Sequence, residues 1–233
     1  MMVTTPDHDT KMADYEQLNA TFHASPASLV LHDTFERDLA RFYHHDINRI
    51  VYLGVTRDDA LKQLVFIKSL QAILKHQHDI KDMYFQIDNT TTAAEKSFLK
   101  SLDFTLLPAN GNKEDSIYTK ITTRTLIFAP SISSETLHTA LRYSGFAVLI
   151  CPDIDDTIAT MRAQGDIYTS TDKVLSFCRI QAAGFKRKMT GMATGLGDIG
   201  GTWCQGTSVH WIPAGEGEKR AKPLQVGRAM PER

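Results

Sequence analysis

The fold is decided by the stretch Arg49-Ile50-Val51-Tyr52-Leu53-Gly54-Val55-Thr56. Its apolar, β-branched part predicts a short buried strand, and Gly54 predicts the turn that ends it. Asp58 and Asp59 follow, at a place where carboxylates complement the positive end of a helix dipole. Apolar residues then recur at three- and four-residue steps as far as Lys75, which predicts an amphipathic helix. A strand, a turn and a helix in this order are typical of the first unit of a doubly wound α/β domain.

The same alternation of strand and helix continues along the chain. Residues 83–87 predict a second strand, and Thr92 with Glu95 has the capping-box spacing that begins a helix. Residues 125–130 form a nearly continuous apolar run, typical of a strand buried on both faces, and residues 147–151 predict another strand. We therefore predict an α/β fold with a doubly wound, Rossmann-like, mostly parallel sheet, helices on both faces and an irregular C-terminal extension.

Composition divides the chain into four predicted parts. Residues 1–26 are polar and are expected to form a mobile arm or, alternatively, a short helix around residues 12–18 that docks on the domain. Residues 27–152 form the α/β domain. Residues 153–213 are expected to form an extension with short helices, a glycine-rich loop and irregular or short β structure. Residues 214–233 are polar, which predicts a disordered tail.

The overall composition excludes several classes of protein. Hydrophobic residues are 42% and charged residues 23% of the 233 residues, as expected for a globular protein with a real core. The net charge of −1 argues against direct nucleic-acid binding, and no apolar run is long enough for a membrane helix. The polar N-terminus argues against a secretory signal, and three widely spaced cysteines predict reduced thiols. We therefore expect a protein of the cytoplasm, without a membrane partner.

Polar residues and turn residues follow several predicted strands. Open α/β sheets bind ligands in the crevice at the carboxyl ends of their strands, and Gly54, Thr56, Asp88 and Pro130 are all predicted to lie there. Asp88, at the end of the second strand, is where an acidic residue accepts the ribose hydroxyls of a nucleotide or of S-adenosylmethionine. The structural alternative is that Gly54 permits a tight turn and that Asp88 caps the following helix. The identity of a cofactor stays unknown at this point.

Three other motifs favour structural explanations. Residues 195–200 match the spacing G-x-G-x-x-G, but no strand precedes them and no helix follows, so we interpret them as a loop. The histidine clusters at residues 44–45 and 76–78 lack the ligand spacing of a zinc site and are expected to be polar helix ends. Cys151, before a proline, could in principle supply a thiolate to haem iron, but a small buried residue at a strand end is the default.

Two further patterns bear on function. The basic run at residues 186–188 is typical of a solvated surface, with a nucleic-acid patch or an import signal as the alternative. No glycine-serine-glycine elbow follows a predicted strand, which argues against a hydrolase. The sequence therefore supplies no catalytic constellation.

From the first strand onward, the order of several short segments resembles that of a known family. The matching segments are Tyr52-Leu53-Gly54, Gln63, Gln86-Ile87-Asp88, Ala94-Glu95-Lys96, Leu99, Leu102-Asp103-Phe104-Thr105-Leu106-Leu107 and Thr125-Leu126-Ile127-Phe128-Ala129-Pro130. Over residues 28–152 the chain resembles the SRR-like (sensitivity to red light reduced) family. Val55 and Thr56 stand where the family usually has a second glycine and a serine, so the resemblance does not carry a shared ligand site to this turn.

The resemblance implies a regulatory protein, with circadian and light-signalling outputs and no established enzymatic chemistry. It therefore predicts a non-catalytic regulator that acts through an unidentified protein partner, in circadian or light-type signalling or in transcription. The alternative hypothesis is an enzyme or sensor that binds a nucleotide or S-adenosylmethionine between Gly54 and Asp88. A small-molecule ligand in the strand-end crevice belongs to this second hypothesis.

Overall fold

The computed structural model describes residues 8–42, 46–54, 59–109, 115–143, 145–164, 175–176, 178–179, 185–189, 203–204 and 206–211. Thr56, the predicted loop at residues 195–200 and the predicted tail at residues 214–233 lie outside these residues.

The centre of the fold is a seven-stranded sheet with the spatial order β3-β2-β1-β4-β5-β7-β6. Its strands are β1 Arg49–Tyr52, β2 Asp82–Ile87, β3 Thr105–Pro108, β4 Thr125–Phe128, β5 Val148–Pro152, β6 Phe185–Lys188 and β7 Thr207–Trp211. The first five strands pair in parallel, while β7 runs antiparallel to both β5 and β6. The predicted mixed α/β, mostly parallel architecture is confirmed.

Helices cover both faces of this sheet. They are α1 His8–His23, α2 Pro26–Phe42, α3 Ala60–Lys75, α4 Ala93–Ser101, α5 Ser134–Tyr143 and α6 Ile154–Ala163, with a short 3₁₀ helix at Ile117–Lys120. Helices α3 and α4 connect strands on one face and α5 connects β4 to β5 on the other, which is the doubly wound arrangement. Within the described part of the chain, no helix is long and apolar enough to span a bilayer.

Alternation along the strands divides the core into two layers. Ile50 and Tyr52 of β1 pack with buried residues of α1 to α4, whereas Val51 and Leu53 pack with those of α5, α6 and the 3₁₀ helix. Successive side chains of a strand point to opposite faces, so a strand that is apolar at every position is buried on both sides. The continuous apolar runs of β1 and β4 therefore specify a central position in the sheet.

The N-terminal segment is packed against the domain over residues 8–23. The sequence predicts a mobile arm there, with a short helix at residues 12–18 as the alternative, but α1 has 16 residues and buries Tyr15 and Phe22. These two aromatic side chains are separated by two helical turns and meet α3 and α4. Most other positions of α1 are polar, so the hydrophobic period that signals an amphipathic helix is very weak.

The C-terminal part belongs to the same sheet as the predicted domain of residues 27–152. Strand β7 pairs with β5 along its whole length, from Val148 opposite Trp211 to Pro152 opposite Thr207. The side chains of Val209 and Trp211 join the core layer that contains α1 to α4. The structure thus differs from the predicted boundary at residue 152, because antiparallel pairing over a long sequence separation leaves no local signal.

The capping box predicted at the start of α4 is confirmed. The Thr92 hydroxyl accepts a hydrogen bond from the Glu95 amide at 3.2 Å, and the Thr92 amide donates to Glu95 Oε2 at 2.8 Å. The other oxygen of Glu95 accepts from Lys11 Nζ of α1 at 2.8 Å. One carboxylate therefore caps α4 and joins it to α1.

The Glu95 carboxylate should make stability depend on pH. Burial raises its pKa, but the hydrogen bonds from Lys11 and Thr92 outweigh burial and hold the pKa below its ordinary value. Its stabilising contribution is therefore complete above the unfolded pKa of about 4.3 and is lost as the pH falls through the lower folded pKa. Because the pair is partly exposed, we expect Glu95→Gln, which can keep the cap, to cost at most about 1 kcal/mol at pH 7.

Urea unfolding of the wild type and Glu95→Gln at pH 7 and at pH 3 measures this contribution. The difference between their midpoints should shrink at pH 3. A difference that is equal at both pH values would show that the charge of Glu95 does not contribute.

Candidate functional site

The strand order reverses between β1 and β4, which lie next to each other at the centre of the sheet. The chain leaves β1 towards α3 on one face and leaves β4 towards α5 on the other. Such a switch point is where open α/β sheets bind ligands, because the two loops diverge and leave a crevice. Of the residues predicted for the strand-end site, Gly54 and Pro130 follow the two strands that meet at this switch point.

Gly54 and the loop after β4 are in close contact at this point. Gly54 has a φ of +69°, and a Cβ atom there would lie 3.2 Å from both the Ser131 carbonyl oxygen and the Ile132 Cα. Pro130 is buried in the same loop, one residue before Ser131. Glycine is needed because a side chain rarely adopts this φ and would press on backbone atoms. The structure thus brings Gly54 and Pro130 to one edge of the sheet.

A buried chain of hydrogen bonds lies beneath this edge. The Tyr52 hydroxyl donates to Gln63 Oε1 at 2.5 Å, and Gln63 Nε2 donates to Ser131 Oγ at 3.2 Å. Tyr52 and Gln63 are fully buried, and burial raises the pKa of Tyr52 above its ordinary value. These hydrogen bonds therefore link β1, α3 and the loop after β4.

The sequence alone does not indicate the hydrogen bonds among Tyr52, Gln63 and Ser131. In the sequence, Gln63 and Tyr52 stand out only as parts of the segments that match the family, Tyr52 also as part of the predicted first strand. The available signal was the position of Gln63, a polar residue on the buried face of α3 beside Leu64. A polar side chain on a buried helical face needs a hydrogen-bonding partner, which a neighbouring strand or loop must supply.

Asp88 lies one residue beyond the end of β2, which is the neighbour of β1. Its Oδ1 accepts hydrogen bonds from the Thr90 amide at 2.9 Å, the Thr90 hydroxyl at 2.8 Å and the Thr91 hydroxyl at 3.0 Å. These bonds, led by that of the Thr90 hydroxyl, hold the pKa of Asp88 below its ordinary value. The carboxylate is exposed and organises the turn before α4, but it does not cap that helix as the structural alternative expected, because Thr92 is the N-cap.

A buried carboxylate, which the sequence did not single out, lies at the end of β5. Asp153 is 3% exposed, and its Oδ1 accepts from the amides of Asp155 and Asp156, each at 3.1 Å, at the start of α6. Its Oδ2 accepts a hydrogen bond from the Ser208 hydroxyl of β7. Asp153 therefore caps α6 and fastens the antiparallel strand to the parallel part of the sheet.

The three cysteines are buried thiols that form no disulfide with one another. Burial raises the pKa of Cys178 to about 12 and that of Cys204 still further above its ordinary value. The Cys151 thiol donates to the carbonyl of Pro152 at 3.3 Å, as expected for a small side chain packed at a strand end. Over the described ranges, no three histidine, cysteine, aspartate or glutamate side chains are grouped so that they could hold a metal ion.

A groove of about 210 Å³ lies on the helical face, between α1, α2 and α3. Its walls include Phe22, His23, Leu29, Leu31, Ile73 and His76. Leu29 is 67% exposed, and no other large hydrophobic side chain whose burial is described is exposed. The surface of the groove is therefore mostly apolar, although three histidines and two serines also line it, and Leu29 is its exposed leucine.

The hydrogen-bond chain at the strand ends can be tested by a double-mutant cycle. Tyr52→Phe and Gln63→Leu should each cost about 1–3 kcal/mol, because each leaves a buried polar partner unsatisfied. The double variant should cost less than the sum of the two, by about 0.5 kcal/mol or more. Urea unfolding measures all three values, and strictly additive costs would contradict a direct bond between the two side chains.

Comparison with known proteins gives one clear result. A model of the SRR1 domain family matches residues 31–211, which includes every strand of the sheet. No match was found among curated proteins or among solved structures. The match extends past residue 152 to the end of β7, in agreement with the single sheet.

Proposed function

The chain belongs to the SRR1 domain family, and we propose that it is a regulatory, non-catalytic protein that acts by binding partner proteins. The groove between α1, α2 and α3 is the surface that we propose for this contact. From the family resemblance we further propose that the regulated process is circadian or light-type signalling or transcription, in the cytoplasm and the nucleus.

The observation that carries this proposal is the exposed side chain of Leu29 beside an apolar groove. A single exposed leucine is ordinary on a protein surface. Here, however, Leu29 adjoins a concavity lined by the side chains of Phe22, Leu31 and Ile73, which are 3%, 0% and 8% exposed. Apolar pockets of this kind accept the aromatic or aliphatic anchors that dominate the energy of protein interfaces. The groove is therefore suited to a side chain of another protein.

The polar groups at the strand ends support the same proposal. Tyr52, Gln63 and Ser131 are bonded to one another, and Asp88 accepts its hydrogen bonds from its own turn. A ligand site usually presents a few converging polar groups to an open pocket. The described residues at the strand ends instead use these groups to hold the loops together.

Site-specific photo-crosslinking tests the proposal. A photoreactive phenylalanine analogue replaces Leu29 in one version of the full chain and Ala159, an exposed residue of α6, in a control. In cells, the analogue at position 29 should give a discrete adduct with a partner that can be identified and purified, and the control should not. Equal adducts at both positions, or none at position 29, would contradict a contact at the groove.

A second candidate function is favoured by the geometry of Gly54. The close approach of Gly54 to the Ser131 carbonyl lies at the switch point, where doubly wound sheets bind nucleotides. An enzyme or sensor for a nucleotide or S-adenosylmethionine would use Gly54, Thr56, Asp88 and Pro130 as its binding residues.

Thermal unfolding in the presence of adenine nucleotides, nicotinamide nucleotides and S-adenosylmethionine tests this candidate. A ligand at about a hundred times its dissociation constant would raise the free energy of unfolding by about 2.7 kcal/mol. The rise should disappear in Asp88→Ala and persist in Asp79→Ala, an exposed aspartate away from the strand ends. No rise with any of these ligands is the result that the partner-binding proposal expects.

A further inference from the structure

Helix α1 lies before the matched SRR1 domain, which begins at residue 31, yet it packs against α2, α3 and α4 of that domain. Tyr15 and Phe22 are its buried side chains. The Tyr15 ring meets the edge of Phe98 in α4, with ring centroids 6.0 Å apart. The domain therefore carries a surface for a helix, and a segment outside the domain occupies it.

A charge pair complements the aromatic contacts. Lys11 lies four positions before Tyr15, on the same side of α1, and its ammonium group is 2.8 Å from Glu95 Oε1. Both side chains are partly buried, at 18% and 30% exposure, so the pair is partly shielded from solvent. The surface thus contacts one cation and two aromatic rings of α1, together with the partly buried Met12 and Leu18.

Helix α1 packs on the domain through one face. A helix of 16 residues gains most of its stability from packing of one face, and here Tyr15 and Phe22 are buried while Met12 and Leu18 are partly buried against the same core. Phe22 and His23 also form one wall of the Leu29 groove, so the surface under α1 continues into that groove. Movement of α1 away from the domain would expose one continuous surface along α3.

We infer that the surface under α1 binds an amphipathic helix of a partner protein and that α1 occupies this surface until the partner displaces it. The partner helix carries two aromatic residues seven positions apart, with lysine or arginine four positions before the first. The inference rests on the proposed partner-binding function and names the kind of partner. Helix α1 then competes with the partner helix for the same surface, and the strength of its packing sets the affinity that the partner needs.

The turn between α1 and α2 favours a different protein over a second copy of this chain. The Ser25 hydroxyl donates to the Phe22 carbonyl at 2.6 Å and accepts from the Ala27 amide at 3.2 Å. This turn folds α1 back onto its own chain, and an exchange of α1 between two copies would have to break it. A separate helix needs no such change in the turn.

A fluorescent peptide of residues 8–24 serves as the probe for this surface. It is titrated against the full-length wild type and against the full-length variant Tyr15→Ala/Phe22→Ala, in which the attached α1 competes poorly. An attached segment acts at an effective concentration of about millimolar, so the peptide should bind the variant at least about tenfold more tightly than the wild type. A peptide that carries the same two substitutions should not bind. Equal, undetectable binding to both proteins would overturn the inference.

Glu95→Gln, added to the double variant, tests the ion pair between Lys11 and Glu95. A glutamine can still accept the hydrogen bond that caps α4. The substitution should weaken peptide binding about two- to fivefold, as expected for a partly exposed ion pair. No change would overturn the part assigned to the cation. Sedimentation of the wild type decides on the second copy, because a dimer that disappears in Tyr15→Ala/Phe22→Ala would overturn the assignment to a different protein.

Hydrogen exchange in the wild type covers the case in which the double variant does not fold. Amides of α1 should exchange at least about tenfold faster than those of α3, through local opening of the kind that leaves the core closed. Exchange of α1 at the rate of α3 would overturn the inference. If the crosslink at position 29 forms but the peptide does not bind, this inference alone is overturned. If no crosslink forms at position 29, the proposed function is contradicted.

Discussion

Replacement of Phe128 by alanine is expected to lower the free energy of unfolding by about 3–5 kcal/mol. Phe128 is fully buried at the end of β4, in the layer between the sheet and α3. Its ring centroid lies 4.9 Å from that of Tyr52, 5.5 Å from that of Phe66 and 5.7 Å from that of Trp203. Removal of the ring leaves a cavity that all three neighbours line, and β1 and α3 hold Tyr52 and Phe66 apart.

Urea unfolding measures the cost, with Leu29→Ala as the control because Leu29 is exposed. Small domains are stable by only about 5–15 kcal/mol, so Phe128→Ala could lack a folded baseline. Phe128→Leu, which keeps much of the volume, is therefore measured as well and should lie between the wild type and the alanine variant. A cost for Phe128→Ala that is no greater than that for Leu29→Ala would contradict the central place of this ring.

Substitution of Gly54 by alanine is expected to cost about 2–3 kcal/mol, although it adds a single methyl group. The φ of +69° is a left-handed conformation, which costs an L-residue roughly 1–2 kcal/mol. The new Cβ would also lie 3.2 Å from backbone atoms of Ser131 and Ile132, and backbone atoms cannot turn aside as a flexible side chain can. The two strand-end loops would then have to separate.

Gly206→Ala is the matched control for this substitution. A Cβ at Gly206 would meet nothing within 4 Å, so this change should alter stability by no more than about 0.5 kcal/mol. Thermal unfolding of the two variants gives the comparison directly. Equal costs at both positions would show that the close approach between Gly54 and the loop after β4 does not constrain the fold.

Local signals were enough to predict most of the central architecture. The β-branched runs of β1 and β4 are buried on both faces, and the capping box of Thr92 and Glu95 begins α4 where it was expected. Each of these features depends on a few consecutive residues, so a local sequence pattern is enough to predict it. The parallel order followed because strands that alternate with helices have few other ways to pair.

Features that depend on distant parts of the chain could not be predicted. Strand β7 lies between β5 and β6 because its backbone pairs with Val148–Pro152, more than 50 residues earlier. Helix α1 buries only Tyr15 and Phe22, with Met12 and Leu18 partly buried beside them, and its remaining positions are mostly polar, so its hydrophobic period is weak. In both cases the stabilising partner lies outside the window that a sequence pattern covers.

The candidate site shows the same division. The sequence placed Gly54, Asp88 and Pro130 at strand ends, because the end of a strand is a local property. It could not show that Asp88 accepts its bonds from Thr90 and Thr91, nor that Gln63 joins Tyr52 to Ser131. Whether a carboxylate faces a ligand or its own turn depends on side-chain geometry. The assignment of Gly54, Asp88 and Pro130 to a ligand therefore stays a prediction.

The partner that crosslinking identifies is purified on its own and titrated calorimetrically into three full-length proteins. This measurement tests most directly whether the protein acts through the groove between α1, α2 and α3. The proteins are the wild type, Leu29→Asp and Asp88→Ala. A charge placed in an apolar contact should weaken binding at least about tenfold, so Leu29→Asp should bind poorly. Asp88→Ala should bind like the wild type. Normal binding by Leu29→Asp together with loss of binding by Asp88→Ala would contradict the account and locate the function at the strand ends.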